Sequence, residues 1–280
     1  MATIVDSYSE SNTDSWDGIS AGRYAEAGQS FTGDGKYLSA AVFWLRKVGS
    51  PTGYMTAKLY AHSGTFGAAG SIPTGSALAV SDPINVNVLT SSYDLTSFNF
   101  STTYLLANST NYFIVVQFGG GSAGQYVDIG LDGSSPTHSG MRARLNASTW
   151  SSIAGYDYPF YVYGVTNSPP TTALTTPANA TTLTTQKPTL SFNATDPEGE
   201  NVSYQLQVST DNTFATTHTD TTTTTYASGT TQSYTLTTNL TNGGITYYWR
   251  ARAKDPLGSN TFGAWSASRT MITEALPPSV

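Results

Sequence analysis

The stretch RKVGSPTGYMTAKLYAHSGTFG, residues 46–67, governs how the first half of the chain is read. A Lys, a Ser, a Tyr and a His crowd around a Gly-Ser-Pro-Thr-Gly turn, which marks either a piece of active site or a turn between decorated strands. Alternation separates the two. Before the turn, LSAAVFWLRKV (38–48) sets Ala41, Phe43 and Leu45 against Val42, Trp44 and Arg46. After it, YMTAKLYAH (54–62) sets Met55, Ala57, Leu59 and Ala61 against Thr56, Lys58, Tyr60 and His62. A period of two belongs to half-buried strands. Gly49-Ser50-Pro51-Thr52-Gly53 supplies a permissive φ and a Pro-fixed turn. The expectation is a hairpin across 49–53, with Lys47, Lys58, Tyr60 and His62 on outward or edge positions.

Composition extends this reading to the whole chain. Charged residues are only 11% of 280, while 18 Tyr, 26 Gly, 13 Pro and abundant Thr, Ser and Asn fill it. Thr and Tyr suit pleated surfaces and Gly, Pro and Asn suit turns; no segment carries apolar residues at helical spacing. The net charge of −6, with 12 scattered basic residues, gives no electrostatic footprint for nucleic acid. No apolar run approaches 18 residues, so no membrane-inserted helix is expected. With no cysteine, disulfides, thiol nucleophiles and thiolate metal sites are excluded. The start, MATIVDSYSESNTDSW, lacks a basic n-region and an apolar h-region and is not read as a signal peptide.

Further strands are expected at 25–32, 76–81, 84–89, 93–101, 111–119, 125–131, 141–147 and 158–165. Residues 165–182, VTNSPPTTALTTPANATT, read as an extended, solvated linker around Pro169-Pro170. This places one domain at 1–166 and a second at 167–280. The chain closes on EALPPSV, which reads either as a linker to a following repeat or as a frayed Pro-rich tail.

Two resemblances follow from these words. The run GQSFT, VFWLRKVGSPTG, AKLYAHSGTFG, IPTGSALAVSD, YDLTSFNFS and NYFIVVQF resembles a jelly-roll-type β-sandwich module of bacterial surface and phage structural proteins, over about 25–165. In the second half, PTLSFNA, VSYQLQVSTD, SYTLTTNL, TYYWRARAKD and AWSASRTMI resemble strands B, C, E, F and G of a fibronectin type III or Ig-like domain, over about 170–273. That resemblance places Tyr247 at a tyrosine corner. Alternation buries Tyr247, Trp249, Ala251 and Ala253 and turns Tyr248, Arg250 and Arg252 outward, where Trp265 is expected to stack on Arg250 or Arg252. The fold class is therefore all-β, two tandem antiparallel β-sandwiches.

Chemistry-bearing clusters are sparse. His62, His138 and His218 have no histidine partner at metal-ligand spacing. DGSSPTHSG (132–140) crowds Asp132, Ser134, Ser135, His138 and Ser139 in one loop, whereas a triad converges from separate rigid elements. GGGSAG (119–124) leads into a strand rather than a helix and reads as a hairpin loop, not a phosphate loop. DPEGE offers Asp196, Glu198 and Glu200 at alternate positions, an oxygen-rich turn for Ca²⁺ or simply a solvated Pro-Gly turn. Glu10, Asp14 and Asp17 form a second acidic group. Trp16 and Trp150 are expected in loops; Trp150 with Tyr156 and Tyr158 makes either a stacking face for a sugar ring or packing beneath a loop. TDTTTTTYASGTTQ (219–232) reads as edge strands or a surface loop.

No catalytic residue is assigned. The expectation is a non-enzymatic structural or adhesive surface protein, most of all a phage virion component: a capsid decoration, head fibre or tail fibre. Its partners would be viral capsid or tail proteins, or cell-surface polysaccharide, within a homo-oligomer or larger assembly. The alternative is an extracellular carbohydrate-binding module of a secreted bacterial protein. Apart from Ca²⁺, no cofactor is expected.

Overall fold

The computed structural model describes residues 2–101, 104–221, 224–256, 258 and 260–275, with only the backbone for 218–221. The terminal PPSV lies outside the described residues. The chain divides into two compact units at Thr166/Asn167. Among the described residues no helix is long and apolar enough to cross a membrane.

Among the described residues the first unit contains thirteen strands: β1 (Thr3–Tyr8), β2 (Ser15–Ile19), β3 (Glu26–Thr32), β4 (Tyr37–Val48), β5 (Tyr54–Ser63), β6 (Ile72–Val80), β7 (Ile84–Asn85), β8 (Asp94–Asn99), β9 (Asn111–Phe118), β10 (Tyr126–Leu131), β11 (Arg142–Asn146), β12 (Thr149–Ser152) and β13 (Phe160–Val165). One sheet runs β1-β13-β4-β10-β2, with β8 also on β4; the other runs β12-β11-β3-β9-β5-β6, with β7 on β5. All pairs are antiparallel, and the result is a jelly-roll-like sandwich. The alternation read from the sequence sets its core: Ala41, Phe43 and Leu45 from β4 meet Met55, Ala57 and Leu59 from β5, all fully buried.

Those two strands lie in different sheets. Gly49–Gly53 is thus not a hairpin but an arch between layers, and GGGSAG likewise carries the chain from β9 in one sheet to β10 in the other. Gly49 has φ 71°, and a β-carbon there would run into the Gly124 carbonyl of the second arch. Turn residues report that the chain turns, and both sandwich arches and hairpins need them.

The outer face of the second sheet is also covered. Tyr60, Phe113, Val115 and Ala143 form a separate apolar cluster, with Ala77 and Trp150 packed on it. The His62 ring stacks on Phe113 at 5.5 Å, and burial lowers the His62 pKa. Lys58 and Tyr60, expected as edge decoration, instead bracket buried Glu26: Lys58 Nζ lies 2.7 Å from Glu26 Oε1 and Tyr60 Oη donates to it at 3.4 Å.

The second unit adds β14 (Thr171–Thr176), β15 (Thr181–Thr182), β16 (Thr189–Thr195), β17 (Ser203–Ser209), β18 (His218–Thr221), β19 (Thr231–Thr235), β20 (Thr246–Lys254) and β21 (Arg269–Ile272). A three-stranded sheet β14-β16-β19 faces a five-stranded sheet β15-β21-β20-β17-β18, where the short β15 pairs parallel to β21. This is an Ig-like sandwich. Leu190, Phe192, Leu206, Val208, Trp249 and Met271 fill its core. The Thr241 N–H donates to Tyr247 Oη at 3.0 Å, which is the tyrosine corner.

Two expectations fail here. Residues 171–176, read as linker, form the edge strand β14. Thr171, Thr175 and Thr176 are exposed, Thr172 turns a polar hydroxyl inward, and Leu174 is the one buried apolar side chain, too little for an alternation signal. The last strand begins at Arg269 rather than 264, because Ser266 bulges the preceding segment: its N–H donates to the Ala251 carbonyl and its Oγ accepts from the Ala251 N–H. The Thr-rich segment does contribute to one edge strand of each sheet, β18 and β19, and the Thr189–Thr235 hydroxyls meet at 2.8 Å across β16 and β19.

Candidate functional site

Strand β2 closes one edge of the first sheet through its register with β10, Asp17 opposite Ile129 and Trp16 opposite Gly130. Neighbouring strand residues point to opposite faces, so Asp17 and Trp16 take different roles. Asp17 accepts from Arg144 Nη1 at 2.8 Å, from Arg142 Nη1, and from Tyr158 Oη at 2.6 Å. Since the arginines belong to β11, this carboxylate ties the edge of one sheet to the other. Burial, reinforced by the Asp17 charge, pushes the Tyr158 phenol well up, so it remains a donor.

Trp16 faces away and stays 45% exposed. Its ring stacks on Tyr126 at 6.3 Å, and the Arg23 guanidinium caps Tyr126 from 4.1 Å. Arg144 lies 4.1 Å over Tyr24. Trp16, Asp17, Gly18, Arg23, Tyr24 and Asn146 line an open cleft of about 400 Å³. One wall is an exposed indole with a planar apolar face; the others carry guanidinium, phenol and amide groups. Such a cleft can hold a small ring with one apolar face and polar edges.

The other aromatic candidates are not assembled into a stacking face. Trp150 lies on β12, not in a loop, and packs edge-on against Tyr60 at 5.8 Å within the outer cluster. Tyr158 is fully buried. Tyr156 is covered by the Arg142 guanidinium at 4.1 Å. Trp16, also on a strand, is the one candidate left open.

The 132–140 loop holds no triad. The Gly140 N–H donates to His138 Nδ1 at 3.0 Å, so Nε2 carries the proton and faces Asp6 Oδ1 at 3.3 Å. Gln29 Nε2, 3.2 Å from the same Nδ1, donates to Asp157 Oδ1 at 2.6 Å. Asp132 is occupied by the Tyr8 hydroxyl and the Ser134 and Ser135 N–H groups. These bonds pin the loop to β1 and β3. Burial raises the Asp6 pKa, but the His138 hydrogen bond, with two backbone N–H bonds, outweighs it and leaves the pKa lowered. A depressed carboxyl stabilises the fold above its unfolded pKa and loses that contribution as pH falls through the folded one. Asp6→Asn should therefore melt below the parent at neutral pH, with the gap closing as pH drops below about 4; thermal melts across pH 3–7 check this.

The acidic turn is reorganised. Asp196 Oδ1 accepts from the Glu198 and Glu200 N–H groups, each at 3.0 Å. Glu198 turns away and accepts from the Ser168 N–H at 3.0 Å. Asp255, from the far end of β20, takes its place: Asp196, Glu200 and Asp255 each bring an oxygen within 4.8 Å of the others. Asn167 Nδ2 donates to Asp255 Oδ2. Burial first, and the Asp255 charge after it, raise the Asp196 pKa. The N-terminal acids do not converge: Glu10 accepts from Tyr161 Oη, Asp14 from the Gly133 N–H, and Asp17 serves the arginines.

The outer face of β20 carries a cation–π ladder. Arg250 lies 4.0 Å from the Phe214 ring and 4.4 Å from Trp265; Arg252 lies 4.3 Å from Trp265 and 4.4 Å from Phe262. Gln207 and Gln205 accept from the two Nε–H groups at 2.8 Å, holding both planes flat. Both arginines flank Trp265. At about 0.5–1 kcal/mol per exposed contact the ladder stiffens this face.

No protein-family model matches the chain, and no curated protein matches it. Among solved structures, it is similar to the PKD domain of an M14-like peptidase from a Thermoplasmatales archaeon, at 26% identity over 39% of this chain and 98% of that one, with a TM-score of 0.27. It is also similar to the FN1–FN3 domains of chicken CNTN1, at 10% identity over 89% of this chain and 67% of that one, with a TM-score of 0.31. Likeness at this level fixes no function.

Proposed function

We propose that the chain is a non-enzymatic adhesive surface protein whose first sandwich holds a glycan in the Trp16 cleft. One observation carries this: an exposed indole on a strand, rather than on a mobile loop, beside the polar groups of Arg23, Tyr24 and Asn146. A pyranose offers an apolar face to stack on the indole and equatorial hydroxyls for the polar walls. A site set on a sheet edge loses little order on binding. The setting we propose is the outside of a phage particle, as capsid decoration, head fibre or tail fibre, on the strength of the module resemblance over 25–165. A secreted bacterial binding module is the second setting, and the same cleft serves both.

The test is affinity electrophoresis of the full chain through gels holding cell-wall, capsular or host polysaccharides. The parent protein should be retarded by at least one of them, and Trp16→Ala should lose about tenfold or more of that affinity, as removing a ring-stacking contact of ~1.4 kcal/mol implies. Migration unaffected by every polysaccharide would leave pure scaffolding as the better account.

A further inference from the structure

The structure assigns a Ca²⁺ site to the second unit, built by Asp196, Glu200 and Asp255 with the side-chain carbonyl of Asn167. Proximity of three carboxylates is the first observation. The second concerns what their burial leaves unmet. Asp196 is 3% exposed, and while its Oδ1 accepts two backbone N–H groups, its Oδ2 is buried with no hydrogen-bond partner among the described residues. Asn167 Oδ1 is likewise buried and partnerless, although the same amide is fixed in place through its Nδ2 on Asp255. A buried acceptor without a donor is costly, and a buried anionic one more so. A cation supplies both deficits at once.

The surrounding backbone is shaped for it. A β-carbon added to Gly258 would collide with Glu200 Oε2, Asp255 Oδ2 and Asn167 Nδ2, so two of the carboxylates and the amide nitrogen that donates to Asp255 crowd together over a residue with no side chain. The Gly258 and Asn260 N–H groups both bond the Asp255 carbonyl, closing a tight turn that presents its carboxylate. Ligands come from three separated segments: Asn167, two residues before the Pro-Pro pair, the 196–200 turn and the turn after β20. All-oxygen donors with several carboxylates, on turns rather than a rigid octahedral frame, select Ca²⁺ over softer metals and over Mg²⁺. Binding would staple the entry of the second unit to two of its turns. Glu198, with its carboxylate on the Ser168 N–H, is not a ligand.

The full chain, stripped with chelator, is titrated with CaCl₂ by calorimetry, with thermal melts in parallel. Saturable binding and a rise in the melting temperature are expected, and Glu200→Gln should weaken the binding at least tenfold with an unchanged circular-dichroism spectrum. Asp255→Asn should do the same; if that fully buried position does not tolerate the change, the half-buried Glu200 carries the test. Glu198→Gln should bind as the parent does. Absence of heat and of a melting shift at 10-fold millimolar excess, or equal binding by Glu200→Gln, overturns the assignment.

Discussion

Replacing Asp17 by Ala should destabilise the first unit by about 3–5 kcal/mol, the range for removing one partner of a buried ion pair. The reason lies in what remains. Arg142, its side chain 4% exposed, would keep its charge with its carboxylate gone, and Arg144, 13% exposed, would lose the same partner. The fully buried Tyr158 hydroxyl would lose its acceptor. These costs share one site and will not sum. Asp17→Asn retains an acceptor for Tyr158 but no charge for the arginines, and should fall between. For a unit of this size the Ala variant corresponds to a melting decrease on the order of 10 °C. A loss under about 1 kcal/mol would mean that Asp17 behaves as an ordinary surface ion pair, and that the two sheet edges are joined by something else. Differential scanning calorimetry gives the answer.

The second large effect is expected at Trp249. It is fully buried on β20, opposite Val208 on one neighbour and Arg269 on the other, and touches the apolar cluster around Leu190, Phe192 and Met271. Trp249→Ala should cost about 3–5 kcal/mol through lost burial and the cavity left behind. That is a large share of the stability of a single domain, so the variant is expected to melt far below the parent or to be unfolded in its second unit. Trp249→Phe should be milder, because it keeps most of the ring and also deletes an Nε1–H that has no partner among the described residues. In calorimetry Trp249→Ala should move the transition of the second unit while Asp17→Ala moves that of the first. Both variants shifting one common transition would contradict the division at Thr166/Asn167.

How far the sequence reaches depends on how local each signal is. Strands β4 and β5 are plain in it, because Phe43, Leu45, Met55 and Leu59 repeat at period two and are all buried. Their pairing is not plain: Gly49–Gly53 looks like a hairpin, yet the strands it joins belong to different sheets. Partner choice is a property of the whole layer. Strand β2, SWDGI, has no alternation and owes its conformation to β10; Trp16 therefore reads as a loop residue, although its strand is what makes the cleft. Tyr158 looks like a sugar-stacking neighbour of Trp150 until Asp17, from the far end of the unit, claims its hydroxyl. The acidic turn divides in the same way. Asp196 and Glu200 are visible because they share one short turn, while Asp255 and Asn167 reach it only through the fold. In contrast, the Tyr247 corner and the Trp265 stacking depend on short spacing along β20 and its return segment, and both are readable in advance.

The most direct test of the account is one calorimetric titration of a polysaccharide that retards the parent protein into the parent, Trp16→Ala and Trp150→Ala. Trp16→Ala should lose about tenfold or more in affinity while melting as the parent does, and Trp150→Ala should keep its affinity while melting lower, because its ring packs on Tyr60. Affinity lost in Trp150→Ala and kept in Trp16→Ala would contradict the assignment of the cleft.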